Sequence, residues 1–179
     1  MEELQDISQN RAFAHLLDQL AALSEGASGT VTAGHHDLGP DLWLSADPAG
    51  QTVMSYQSSE HGVRLSVEAG DTGAWACLGM RLPIETLRQG RYLGLLVAVA
   101  CETLISFTPK LRYFFKDGGL QDNTTPAPVI LAGGSREHLA YMPLDPQRLQ
   151  AASGCELNLF FNNDAFVADF LKIEPLLIQ

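Results

Sequence analysis

From Gly26 onward the chain is cut at short intervals by residues that end helices: Gly29, Gly34, Gly39, Pro40, Pro48 and Gly50 first. Turn clusters continue the pattern at Asp117-Gly118-Gly119, Gly133-Gly134-Ser135, Asp145-Pro146 and Asn162-Asn163-Asp164. Glycine visits backbone conformations closed to other residues, and proline removes an amide donor, so runs broken this often leave no room for long helices. Between the breaks the apolar residues alternate. Val63, Leu65 and Val67 interleave with Arg64, Ser66 and Glu68, and Ala76, Leu78, Met80 and Leu82 interleave with Cys77, Gly79 and Arg81. A period of two places one set on a core and the other outward.

The same reading gives a central strand at Tyr92–Cys101 and further strands at Leu111–Phe115, Val129–Ala132, His138–Met142, Glu156–Phe161 and Phe166–Ile178. Weaker candidates are Thr30–Ala33, Trp43–Ser45 and Val53–Gln57, and Glu85–Gln89 reads as a helical turn. Many short strands without alternating long helices predict an all-β fold, an antiparallel β-sandwich of the jelly-roll kind. Pro175 places the final strand near an edge or a bulge.

One segment reads differently. Ala12, Phe13, Leu16, Leu17, Leu20 and Leu23 recur at helical spacing between about Ser8 and Ser24, with Asp6 or Ser8 as the cap and Gly26 as the stop. The expected organisation is therefore an N-terminal helical segment, residues 1–26, followed by a sandwich domain, residues 27–179. The helix could pack on its own domain, on a protein partner, or on a second copy.

Composition narrows the function. At 46% apolar and 18% charged residues the chain has material for a full core. A net charge of -10 repels phosphate backbones and anionic lipid, so nucleic acid and membranes are poor partners. The nearly charge-free stretch Tyr92–Cys101 is half the length that a membrane-spanning helix needs. Met1-Glu2-Glu3 offers no basic start for a signal peptide, so synthesis in the cytoplasm is expected, with release or display on a particle as further options. Cys77, Cys101 and Cys155 are widely spaced and unpaired in pattern, and read as buried thiols.

Leu111-Arg112-Tyr113-Phe114-Phe115-Lys116-Asp117-Gly118-Gly119, the Pro128-Val129-Ile130-Leu131 and His138-Leu139-Ala140-Tyr141-Met142 pair, and Glu156-Leu157-Asn158-Leu159-Phe160-Phe161 together resemble β-sandwich domains of the carbohydrate-binding-module type. A looser similarity is to the glycan-binding spikes of phage-like particles, including gene transfer agents. The resemblance implies a non-catalytic protein that binds polysaccharide or glycan. The alternative of another class is a structural or adaptor sandwich that decorates a particle or oligomer without binding glycan.

Sugar recognition needs aromatic faces for the apolar side of a pyranose and planar polar groups for its hydroxyls. Glu156, Asn158, Phe160 and Asn162 share one strand face, and Arg112 and Phe114 share another. If the two strands are neighbours, Arg112, Asn158 and Asn162 should open onto one groove beside Asp117 and Asp122. His138 completes the candidate ligand set, with Arg112 suited to a uronate carboxylate. Asp117, Asp122 and Asp164 offer the hard oxygen ligands of a structural calcium, though such residues also serve ordinary turns. His35-His36-Asp37 invites a metal, but neighbours on an extended chain point to opposite faces. No nucleophile elbow or phosphate cradle is present in the sequence, and Asp117, Asp122, Glu137 and Glu156 are too scattered to be read as a glycosidase pair.

Overall fold

The computed structural model describes residues 11–68, 75–162 and 165–179. The expected cap at Asp6 or Ser8 lies outside them, as do Asn163 and Asp164. Over the described residues the fold is an antiparallel β-sandwich, with a helix at its N-terminal end.

One layer joins β1 (Ser28–Val31), β4 (Val53–Ser59), β5 (Gly62–Glu68), β11 (Phe166–Ile178), the first half of β7 (Tyr92–Phe115) and β9 (Val129–Pro143), in that order. The other joins β2 (Gly34–Gly39), β3 (Leu42–Ala46), β6 (Ala76–Leu82), β10 (Ala152–Phe161), the second half of β7 and β8 (Leu120–Thr124). β7 is one strand of 24 residues that passes from one layer into the other. Leu93, Leu95, Val97 and Val99 of its first half and Phe107, Leu111 and Tyr113 of its second are buried in one shared core. Fully burying one such side chain contributes about 1.5–3 kcal/mol, so the alternation alone fixes which face turns inward.

Two expectations are corrected. Tyr92–Cys101 and Leu111–Phe115 are not separate strands, because the chain between them keeps its alternation through Ile105 and Phe107, both fully buried. Gly133-Gly134-Ser135 is not a turn between strands. Gly133 (φ 53°) and Gly134 (φ 73°) instead sit within β9, where its pairing with β7 shifts register between Cys101 and Leu104. The segment after Asp117 is a strand, β8, that folds back on β7 through the Gly118-Gly119 turn.

Both internal prolines of these strands fall where a missing donor is tolerated. Pro109 lies between Phe107, the last of these residues paired with β9, and Lys110, the first paired with β8. Pro175 lies beyond Phe170, where β11 has left β5 and follows a register shift against β7. β11 itself is central, between β5 and β7.

The helix α1 (Ala14–Leu23) follows a 3-10 turn at Arg11–Phe13. Phe13, Leu16 and Leu23 enter the core of the sandwich, so the helix packs on its own chain. Two shorter helices, α2 (Ile84–Leu87) and α3 (Pro146–Ala151), lie between strands. α3 occupies the expected Asp145-Pro146 turn because Asp145 caps it, accepting from the amides of Gln147 (2.9 Å) and Arg148 (3.2 Å), with Pro146 in the first turn.

Candidate functional site

Register places the outward side chains of the second layer in rows that cross the strands. β10 pairs with β7 on one side and β6 on the other, setting Asn158 between Lys110 and Gly79, and Glu156 between Arg112 and Arg81. β6 in turn pairs with β3, so Gly79 faces Trp43 and Cys77 faces Ser45. β3 pairs with β2, bringing His35 beside Ser45 and Asp37 beside Trp43. The outward face is thus a lattice of polar and aromatic groups, whereas Leu78, Met80, Leu157 and Leu159 point the other way and are buried.

Within this lattice lies a trough of about 460 Å³, lined by Lys110 and Arg112 of β7, Glu156, Asn158 and Phe160 of β10, Cys77 of β6, Trp43 and Ser45 of β3, His35 of β2, and Trp75. It crosses five adjacent strands, a span of about 19 Å at ~4.8 Å per strand. The floor is low because position 79 carries no side chain. A Cβ there would overlap Trp43 Nε1 and come within 2.6 Å of Asn158 Oδ1. Trp43 and Asn158 fill that gap instead, both 5% exposed, and the Cys77 thiol reaches Asn158 Oδ1 at 3.9 Å. Burial pushes the Cys77 thiol up to about 12, so it is an inert part of the floor.

One end of the trough is aromatic. Trp75, 38% exposed, meets Phe160 edge to face at 6.0 Å, and Lys110 Nζ stands 4.8 Å above the Phe160 ring. The far end is held by a hydrogen-bonded string in which His35 Nε2 meets Asp37 Oδ1 at 2.8 Å and His35 Nδ1 meets the Ser45 hydroxyl at 3.3 Å. His35 also packs against Trp43 at 5.3 Å.

A charged row forms the side wall: Asp122, Arg112, Glu156, Arg81 and Asp41 in order across the sheet. Arg112 donates to both oxygens of Asp122, at 2.8 and 2.9 Å. That hydrogen bonding holds the Asp122 carboxyl below the usual carboxylate range and raises Arg112. At the other end Arg81 lies 3.8 Å from Asp41. α1 fixes Asp41, because Gln19 accepts its amide at 2.9 Å and reaches its carboxylate at 3.4 Å. Glu156, in the middle, is raised by burial against the opposing pull of Arg81 and Arg112.

Of the residues singled out in the sequence, Arg112, Asn158 and Phe160 come together in the trough. Phe114 shares their face but lines the next depression. Asn162 is spent on the end of β10, donating to the hydroxyls of Ser106 and Thr108 at 3.1 Å each. His138 is exposed on β9 opposite Val97, in the other layer. Asp117 closes the β7–β8 turn by accepting the Gly119 amide at 2.9 Å.

Asp122 is not free for calcium. Both oxygens of Asp122 are taken by a guanidinium, with Lys110 a further 3.8 Å away, and Asp164 lies outside the described residues. Among the described residues no three His, Cys, Asp or Glu side chains converge as a metal site. His36 points away from His35, toward the Tyr56 hydroxyl at 3.4 Å. Trp43, Ser45, Trp75, Gly79 and Lys110 complete the trough without having been singled out as site residues. Their signal was the parity that sets Trp75 with Cys77, Gly79 and Arg81, and Trp43 with Ser45.

No protein-family model matches the chain, and no curated protein matches it in sequence. Among solved structures it is similar to the CBM22-1 xylan-binding domain of Xyn10C from Paenibacillus barcinonensis, with 12% identity over 86% of this chain and 94% of that one, at a TM-score of 0.52. The tandem CBM22-1-CBM22-2 domain of the same Xyn10C gives 13% identity over 83% and 47% of the two chains, at 0.51. A family 11 carbohydrate-binding module from Clostridium thermocellum, solved with a beta-1,3-1,4-mixed-linked tetrasaccharide, gives 12% identity over 86% and 96%, at 0.48. At such identities the likeness is one of fold, and it agrees with the sandwich that the strand rhythm implied.

Proposed function

We propose that this chain binds a polysaccharide in the trough, without catalysis. The observation that carries the reading is the trough itself, a polar-aromatic channel across five strands on a face where a merely solvated sheet would carry scattered charges. Its end offers the exposed Trp75 beside Phe160 as a stacking surface for a sugar ring. Its floor and walls offer the Asn158 amide, the Ser45 hydroxyl, the Lys110 ammonium and the Glu156 carboxylate as partners for hydroxyls. The similar domain at TM-score 0.52 is a xylan-binding one, which supports the same class of ligand.

The carboxylates of the wall argue for binding rather than hydrolysis. Glycoside hydrolysis needs one carboxyl to donate a proton and another to act as base or nucleophile. Arg112 occupies both oxygens of Asp122, and Asp41 at the other end of the row is engaged by Gln19 and Arg81, which leaves Glu156 without a free partner in its row.

Binding to a glycan array, followed by calorimetry on the best polysaccharide, tests the proposal. Trp75→Ala and Phe160→Ala are expected to weaken binding about tenfold or more, as central aromatic anchors do, with the melting temperature held within a few degrees for the exposed Trp75. Failure of every polysaccharide to bind, or full affinity in Trp75→Ala, would sink it.

A further inference from the structure

Across the charged row from the trough lies a second depression of about 440 Å³. It is framed by Phe114 at the end of β7, Pro83 and Ile84 at the start of α2, and Gly154 on β10, with Arg81 and Asp41 at its rim. Glu156 lines both hollows, so the wall between them is one residue thick at that point. No donor among the described residues bonds the Glu156 carboxylate, although it is half buried: Arg112 turns to Asp122, and Arg81 lies toward Asp41. The carboxylate opens onto both hollows with its acceptor oxygens free of donors among the described residues, so a ligand hydroxyl has room to donate to it. Beyond it the floor is open, since a Cβ at Gly154 would meet nothing within 4 Å. Phe114 and Pro83 supply flat apolar surface beside that opening, of the kind that takes one face of a sugar ring.

The charges select against an acidic ligand. In the second depression, which His15 also lines, Asp41 offsets Arg81 and Glu156 adds a further negative group. In the trough Asp122 offsets Arg112 and lies 3.8 Å from Lys110. The pairing of Arg112 with Asp122 removes the guanidinium that would otherwise suit a uronate.

Taking the trough as a polysaccharide site, we infer that its ligand is a neutral branched glycan, with the main chain along the trough and one side residue crossing at Glu156 into the second depression. Calorimetry of the full chain with xylohexaose and cellohexaose, each bare, carrying one neutral pentose branch, or carrying one uronate branch, tests this. The neutral-branched form of whichever backbone binds should bind about tenfold more tightly than the bare form, the worth of one added aromatic platform with its buried surface. Gly154→Leu, which fills the second depression, should cancel that gain and leave the bare chain within about twofold of wild type. Phe114→Ala should act in the same direction, and serves as the second variant should Gly154→Leu melt early. Equal affinity for bare and branched chains, equal weakening of both by Gly154→Leu, or preference for the uronate branch would overturn the inference alone. Absence of binding by all six probes would overturn this inference, and the polysaccharide reading falls with it only where every polysaccharide of the glycan array fails as well.

Discussion

The two halves of β7 bury the same kind of residue on the inside and show opposite surfaces on the outside. Between Tyr92 and Cys101 the outward positions are Tyr92, Gly94, Leu96, Ala98 and Ala100, uncharged groups next to the exposed Leu139 and Tyr141 of β9. Between Thr108 and Phe114 they are Thr108, Lys110, Arg112 and Phe114, which meet β10, and of these Lys110 and Arg112 line the trough while Phe114 lines the depression beside it. One strand therefore separates what folding requires from what the proposed binding would use. The inward half of the pattern is set by transfer of apolar area from water and is shared along the whole strand. The outward half answers to no such constraint, so long polar side chains there need another explanation.

The largest effect that could break this comparison is on the inside. Leu95→Ala and Leu111→Ala, one from each half and both essentially buried, should each cost about 2–5 kcal/mol. At a chain of this size that lowers the melting temperature by roughly 4–20 °C. A small loss at one and a large loss at the other, measured by thermal unfolding, would mean that the halves do not share one core.

Next in size is the floor of the trough. Gly79→Val forces Trp43 and Asn158 aside and should cost about 1–3 kcal/mol, the usual range for overpacking. It should also abolish polysaccharide binding. Retained affinity in this variant, read by calorimetry, would move the ligand away from the floor.

A substitution on the plain outer half sharpens the contrast. Tyr141→Ser, at a residue 63% exposed whose ring meets Tyr92 edge to face, should cost about 0.5–1.5 kcal/mol and leave affinity unchanged, whereas Lys110→Ala on the other half should weaken binding. Equal effects from the two would erase the distinction between the surfaces.

The smallest effects are electrostatic. Asp122 is held below its ordinary carboxyl value by Arg112, so its contribution is present above that ordinary value and is lost as the pH falls through the lower folded one. Asp122→Asn should therefore melt earlier than wild type near neutrality, by the equivalent of about 1 kcal/mol for a partly screened pair. The gap should close on the acid side of about pH 4. Glu156 has the reverse sign: its raised value penalises the folded state above that value, and the penalty vanishes below the ordinary one. Glu156→Gln should melt slightly later than wild type at neutral pH and level with it in acid. An opposite order in either pH series would contradict the assigned surroundings.

How much of this was legible depends on the range of the interaction. The sandwich followed from alternation, which is local, and so did the faces of Glu156, Asn158 and Phe160. The continuity of β9 did not, because Gly133 and Gly134 look like a turn until the register shift of its pairing with β7 shows that they absorb it. The sequence offers Arg112 as a partner for a uronate carboxylate, and nothing in the order of residues shows that β8 brings Asp122 against it. Trp75 and Trp43 stood on the outward parity of their strands, but joining them to Asn158 required the register of β3, β6 and β10. Pairings between distant segments are where a one-dimensional reading ends.

β11 follows every other strand in the chain, yet it lies in the middle of its layer, hydrogen-bonded to β5 on one side and β7 on the other. During translation, at about 5–20 residues per second, β5 and β7 must wait for several seconds with their facing edges open. Open apolar edges of that kind recruit other strands. The nascent chain thus passes through a period of exposure to aggregation that no refinement of the binding face could shorten. Expression yield should respond to chaperone supply and to growth temperature more steeply than the finished fold's stability would suggest.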